Sequence, residues 1–329
     1  MNPVELTLAI HDYDHTRDIV SGKVAVEGVR LRTVELTPPE LNARFSKLRE
    51  WEVSEFGLGK YIALRAGGDD GITAIPVFPA RAFRHSAFYV AADSPLERLE
   101  DLGGKRVGIP EWAQTAVVWA RGLLAEHCGV DLASIDWHQA GVDEPGRKEK
   151  VAIQLPAGIR LTPRPESTLQ DLLVRGDLDA IITAQPPASF VDGDGRVRRL
   201  LRDARAAEEA YVRETGIFPI MHTIAIRRDA YDAHPWIARN FLTAFEEAKR
   251  RSYARMVDAM SPRLPLPWSA DDFGRANSTF GQDPYPYGVD ANRRTLDALL
   301  DYASAQGVAA RRLNVEDLFA PSVVEAIRR

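Results

Sequence analysis

Strands that alternate with helices along the whole chain predict an α/β protein with mostly parallel sheets. Its 329 residues exceed the usual size of a single domain and predict two. Two apolar β-like runs, at residues 86–92 and 222–228, each lie between segments rich in helix and strand, and we read them as crossover strands. The expected organisation is therefore domain one, residues 1–85 plus 222–329, and domain two, residues 86–221, with a cleft between them.

Residues 4–10 alternate as a strand does, and a polar turn follows through Arg17. Residues 23–35 read as a strand pair around Gly28, and Pro38-Pro39 open a helix with Leu41, Phe45 and Leu48 at helical spacing. A short strand at residues 51–54 ends at Glu55-Phe56-Gly57, residues 61–66 form a helix, and residues 72–77 form the next strand. Further strands are expected at 105–109, 135–138 and 178–183, and a hairpin at 151–161. Helices are expected from Thr115 to Cys128, and from Ser167, as cap, to Arg175. Residues 218–226 read as a strand carrying His222 and Thr223, and Pro235 starts a long helix to about Val257. A proline-rich connector at 261–267, an aromatic loop at 283–288, a helix at 292–307 and the segments 315–318 and 321–327 finish the chain.

The composition, 45% hydrophobic and 27% charged, is that of a globular protein able to bury a large core. The single cysteine, Cys128, excludes an internal disulfide and a cysteine-based zinc site. A net charge of −5 argues against nucleic acid as a partner, and no stretch approaches the length of a membrane span. The first ten residues have neither the basic start nor the long apolar run of a secretory signal, so the expected compartment is the cytoplasm. Composition leaves homo-oligomer formation open.

One stretch concentrates chemistry. Phe78-Pro79-Ala80-Arg81-Ala82-Phe83-Arg84-His85 joins two strands and carries two arginines and a histidine. A guanidinium offers a fixed fork of donors that fits a carboxylate, so the stretch suits an anionic ligand. The alternative is a solvated turn with snorkelling arginines.

Leu99-Glu100-Asp101-Leu102-Gly103-Gly104-Lys105-Arg106-Val107-Gly108 and Leu172-Leu173-Val174-Arg175-Gly176-Asp177-Leu178-Asp179-Ala180 resemble phrases of the type II periplasmic-binding-protein fold. More specific phrases resemble the 4,5-dihydroxyphthalate decarboxylase family. They are Tyr13-Asp14, Val53-Ser54-Glu55, Phe78-Pro79 through Arg84-His85-Ser86, and Gly108-Ile109-Pro110-Glu111. Phe218-Pro219-Ile220-Met221-His222-Thr223, Asp283-Pro284-Tyr285-Pro286-Tyr287-Gly288 and Asn292-Arg293 extend the resemblance over nearly the whole chain. It implies a two-lobed fold with a central cleft and decarboxylation of a hydroxylated aromatic (di)carboxylate. The chain departs from the pattern at His15, where arginine is expected, and at Phe56-Gly57, where Met-Ser is expected, which leaves the substrate's identity open.

Such a reaction needs a base for a phenolic proton, an acid for the carbon losing its carboxylate, and cations for any spectator carboxylate. It requires no organic cofactor, and none is expected. Ligands in open α/β sheets sit at the carboxyl ends of strands, which selects the catalytic candidates Glu55 and His85, with His222 added from the hinge. Imidazole titrates near neutrality and suits proton transfer. Arg81 and Arg84 are candidate carboxylate clamps, and Thr115 a candidate anion site at a helix start. Asp14, Arg17, Glu111, Trp112, Thr183 and Thr223 complete the substrate-binding candidates. Each has a structural alternative: His222 as a buried histidine bonded to a carbonyl, Glu55 as a helix cap, Asp14 as a turn residue, Trp112 as packing. His11 and His15 share a loop with Asp12 and Asp14, too weak a pattern for a metal site. The competing function is a non-catalytic solute-binding protein for a small anion.

Overall fold

A computed structural model describes residues 2–258, 260, 265–281 and 283–324, so parts of the expected segments at 261–267 and 321–327 lie outside the described residues. The strands in chain order are β1 (Val4–Ile10), β2 (Val29–Glu35), β3 (Val53–Gly57), β4 (Ile72–Ile75), β5 (Phe88–Ala91) and β6 (Arg106–Ile109). They continue with β7 (Asp136–Gly141), β8 (Arg160–Thr168), β9 (Ala180–Ile182), β10 (Val197–Arg199) and β11 (His222–Arg227). Two mixed sheets result, one ordered β2-β1-β3-β11-β4 and the other β10-β5-β9-β6-β7-β8.

Within the first sheet, β1 pairs parallel with β2 and β3, and β11 inserts antiparallel between β3 and β4. Within the second, β6 pairs parallel with β7 and β9, while β5 runs antiparallel to β9 and β10. β5 and β11 are thus the strands by which the chain crosses, and both break the parallel pattern. β3, inside the first sheet, and β4, at its edge, are both buried along their whole length, and Glu55 is the one ionisable residue that these two strands bury.

The two sheets share one hydrophobic core, which contains Leu8 and Ile224 from the first and Ile109 and Ile182 from the second. The helix Arg293–Ala305 joins them by packing on both Thr115–Gly122 and Leu58–Ala66. That packing is close: a Cβ on Gly122 would lie 2.3 Å from the Tyr302 ring. Arg121 reinforces the junction, stacked 3.7 Å from Trp112 and donating to the Gln306 side chain and the Trp112 carbonyl.

Three local expectations are corrected. Residues 23–26 form no strand with β2; Val24 and Val26 bury themselves from a turn, and β2 instead follows β1 residue for residue in parallel. The expected hairpin at 151–161 is absent because β8 begins at Arg160 and pairs parallel with β7. The helix expected to run to Cys128 is α-helical only over Thr115–Gly122 and widens to a π turn at Leu123–His127. Among the described residues no helix is long and apolar enough to cross a membrane.

Candidate functional site

Between the sheets lies a cavity of about 320 Å³. Its floor is the pair of connectors that join the lobes. Residues 80–82 bridge antiparallel to 219–221, with Met221 N donating to Ala80 O and Ala82 N to Pro219 O. Both segments face the cavity, through Ala80, Arg81, Ala82 and Arg84 on one side and Met221 and His222 on the other.

Strand register builds the first part of the site. His222 pairs with Gly57 and Ile224 with Glu55, so His222 and Glu55 are diagonal neighbours on one face of the sheet. His222 Nδ1 lies 2.5 Å from Glu55 Oε1. The carboxylate also accepts from the Tyr13 hydroxyl at 2.7 Å and from the His11 amide at 2.9 Å. A carboxylate can only accept here, so Nδ1 carries the proton of the neutral ring. Nε2 is left without a hydrogen-bond partner among the described residues, on a ring that lines the cavity. Burial works to raise the pKa of wholly buried Glu55, yet its bonds to His222 and Tyr13 and the imidazole charge carry it below the ordinary value. Burial and the neighbouring Glu55 push the Tyr13 phenol upward, so it stays a donor.

A second cluster forms around Glu111, just after β6. This side chain is wholly buried and meets three cations: Lys60 Nζ at 2.8 Å, Arg147 Nη2 at 2.7 Å and Lys150 Nζ at 3.0 Å. Burial raises the Glu111 pKa, but the charges of Lys60, Lys150 and Arg147 outweigh it and bring it down to about 2. Lys60 comes from the helix Leu58–Ala66, and Arg147 and Lys150 from the loop after β7. All three cations line the cavity. The helix starts of the two lobes also touch there, because Gly59 N donates to Thr115 Oγ1 at 2.9 Å. A Cβ on Gly59 would lie 3.0 Å from the Ala113 carbonyl, so a larger residue there would push the two helix starts apart by a few tenths of an ångström.

Arg84 supplies the third element. It is 9% exposed and lines the cavity, and its guanidinium has no hydrogen-bond or ion-pair partner among the described residues. Burial lowers its pKa to about 10, which leaves it charged at neutral pH. A buried, charged and unpartnered guanidinium on a cavity wall fits an anionic ligand that completes it. Thr183 lines the same wall, its hydroxyl donating to Gln185 O at 2.8 Å.

The other candidates are placed differently. Arg81 lines the cavity, but its guanidinium donates to the carbonyls of Phe218 and Pro286 and to Asn292 Oδ1, tying the 283–288 loop to the floor. His85 turns away in a short 3-10 turn and packs against Phe83 and Tyr211; burial and nearby His127 push its pKa down to about 4. Asp14 accepts from Ser252 and Arg255, and Arg17 pairs with Asp14 at 2.9 Å, both outside the cavity lining. Trp112 is a packing residue whose indole donates to Gln306 O at 2.8 Å, and Thr223 donates to Ile75 O at 2.9 Å inside the sheet. His11 Nδ1 and His15 Nε2 each face a backbone carbonyl, of Leu36 and Pro79. Lys60, Arg147 and Lys150 were not singled out by sequence reasoning, because an isolated lysine in a helix and a charged loop carry no motif.

The chain is 34% identical to a 4,5-dihydroxyphthalate decarboxylase of Comamonas testosteroni over 329 residues, all of both chains. It is 36% identical to a protein of the same description from Pseudomonas putida over 214 residues, 65% of this chain and 83% of that one. No family model matches. Among solved structures it resembles the periplasmic aliphatic sulphonate binding protein SsuA of Escherichia coli, with a TM-score of 0.56, 14% identity and coverage of 98% and 99%. It also resembles the desulfurization enzyme DszB, with a TM-score of 0.54, 13% identity and 98% coverage of both chains. These two likenesses establish a type II periplasmic-binding-protein-like fold and, at such identities, nothing further.

Proposed function

This chain belongs to the 4,5-dihydroxyphthalate decarboxylase family, and from that premise we propose that it removes one carboxylate, as carbon dioxide, from a hydroxylated aromatic (di)carboxylate such as 4,5-dihydroxyphthalate. The observation that carries this reading is the Glu55–His222 pair, which turns one free imidazole nitrogen toward a cavity rich in cations.

Direct loss of carbon dioxide from an aromatic ring would leave an aryl carbanion. A hydroxyl para to the leaving group avoids it. Once that hydroxyl is deprotonated, electron density reaches the carbon bearing the carboxylate, and a proton delivered there gives a dienone. The C–C bond then breaks, its electron pair restores aromaticity, and carbon dioxide departs. The balance is substrate plus one proton giving product and carbon dioxide. His222 Nε2 carries one of these two proton transfers, with Glu55 holding the ring and stabilising the imidazolium. Arg84 holds a carboxylate through its unpartnered guanidinium.

The test is carbon dioxide release by the purified protein from 4,5-dihydroxyphthalate, from related hydroxylated acids, and from phthalate. Turnover confined to acids with a hydroxyl para to a carboxylate is expected. No turnover on any hydroxylated aromatic acid would refute the reading and favour a solute-binding role.

A further inference from the structure

The chemistry of the proposed product sets a problem that the cavity answers. Loss of one carboxylate from 4,5-dihydroxyphthalate gives 3,4-dihydroxybenzoate, which still has a carboxylate para to a hydroxyl. By the same steps it could lose carbon dioxide again. An enzyme that stops after one turn must read the second carboxylate, the feature that separates substrate from product.

The cavity has two cationic regions. One is Arg84, close to Thr183: Ala87, which follows Arg84 in the same turn, accepts the Thr183 amide through its carbonyl. The other is the wall of Lys60, Arg147 and Lys150 beside Thr115, gathered on Glu111. Three cations there meet one ionised carboxylate. Glu149 lies behind them, accepting from the Trp112 and Ala113 amides, and even if it is ionised the group keeps an excess of positive charge. Two carboxylates on adjacent ring carbons need two such regions; a single carboxylate needs one.

We propose that Lys60, Arg147 and Lys150 form a specificity subsite for the second carboxylate of an aromatic ortho-dicarboxylate, and that Glu111 is the positioning residue that holds them. This inference rests on the decarboxylase reading for its chemical motive, but its test does not. Glu111 does not touch the substrate. Its two oxygens converge three flexible or loop-borne side chains onto one face of the cavity, offsetting their mutual repulsion. The fixed wall then recognises a dianion and leaves the mono-anionic product loosely held.

Phthalate and benzoate test this, because neither has a hydroxyl and neither can react by the proposed route. Calorimetric titration should give phthalate at least about 10-fold tighter binding than benzoate, one charge-assisted contact's worth. Lys150→Met and Arg147→Met, whose side chains are partly exposed and so tolerate replacement, should each weaken phthalate binding more than benzoate binding and so reduce that preference. Glu111→Gln gives the discriminating result. If Glu111 only diluted the positive charge, its removal would tighten phthalate binding; as a positioning residue, its removal weakens it, and Glu111→Asp recovers part of the loss. Equal binding of the two acids by the native protein, or loss of both together in Lys150→Met and Arg147→Met, would overturn the subsite. Selective phthalate binding without any decarboxylation would uphold the subsite and refute the function above.

Discussion

Glu55 and Glu111 are both wholly buried carboxylates set directly behind one cavity, and both titrate below the ordinary range. Their companions differ. Glu55 is met by an imidazole, a phenol and an amide; Glu111 is met by an ammonium pair and a guanidinium. An imidazole can give up or take a proton near neutrality, so a carboxylate behind it tunes proton transfer. Ammonium and guanidinium groups ordinarily titrate far above neutrality, so a carboxylate behind them fixes a pattern of charge. What compensates a buried acid decides its function.

Exchanging the two acids for amides separates these roles. Glu55→Gln should lower kcat by about 10²-fold, because the imidazolium formed during turnover loses its counter-charge. Steady-state rates measure this, and an unchanged kcat would break the contrast. Glu111→Gln should leave the proton-transfer groups in place and, besides weakening phthalate binding, lower stability through the buried ion cluster. The folded pKa of Glu111 is about 2 against an ordinary 4.5. The unfolded chain therefore binds more protons between those values, and the contribution of Glu111 is complete above the higher value and lost as pH falls toward the lower. It amounts to on the order of 3 kcal/mol at neutral pH. Urea unfolding should show native and Glu111→Gln curves well separated at neutral pH and converging in acid.

Arg84→Met sharpens the comparison from the substrate's side. Losing the unpartnered cation should raise KM roughly 10- to 100-fold. The melting temperature should hold or rise, since a desolvated charge without a protein partner is removed. His85→Phe should have the smallest effect, leaving kcat and KM unchanged, because the ring packs between Phe83 and Tyr211 away from the cavity.

The neighbouring pair Arg84 and His85 also marks how far sequence could lead. Strand ends and connectors are legible as hydrophobic runs that stop at polar residues, and they led to Glu55, Arg84, Thr115, Thr183 and His222. The direction of each side chain is not legible. One 3-10 turn sends Arg84 to the cavity and His85 into packing, and Trp112 and Thr223 turn into the core for the same kind of reason. The three cations around Glu111 were missed because they converge from a helix and a distant loop. Pairing partners were equally hidden: nothing local distinguishes β8 as a parallel strand from half a hairpin.

The most direct test of the central claim is turnover of 4,5-dihydroxyphthalate in deuterium oxide by the native protein and His222→Ala, followed by NMR of the product. The account predicts one carbon dioxide per substrate, one deuterium at the vacated ring carbon, and a rate about 10²- to 10⁴-fold lower in His222→Ala with phthalate binding retained. A native rate in His222→Ala would contradict it.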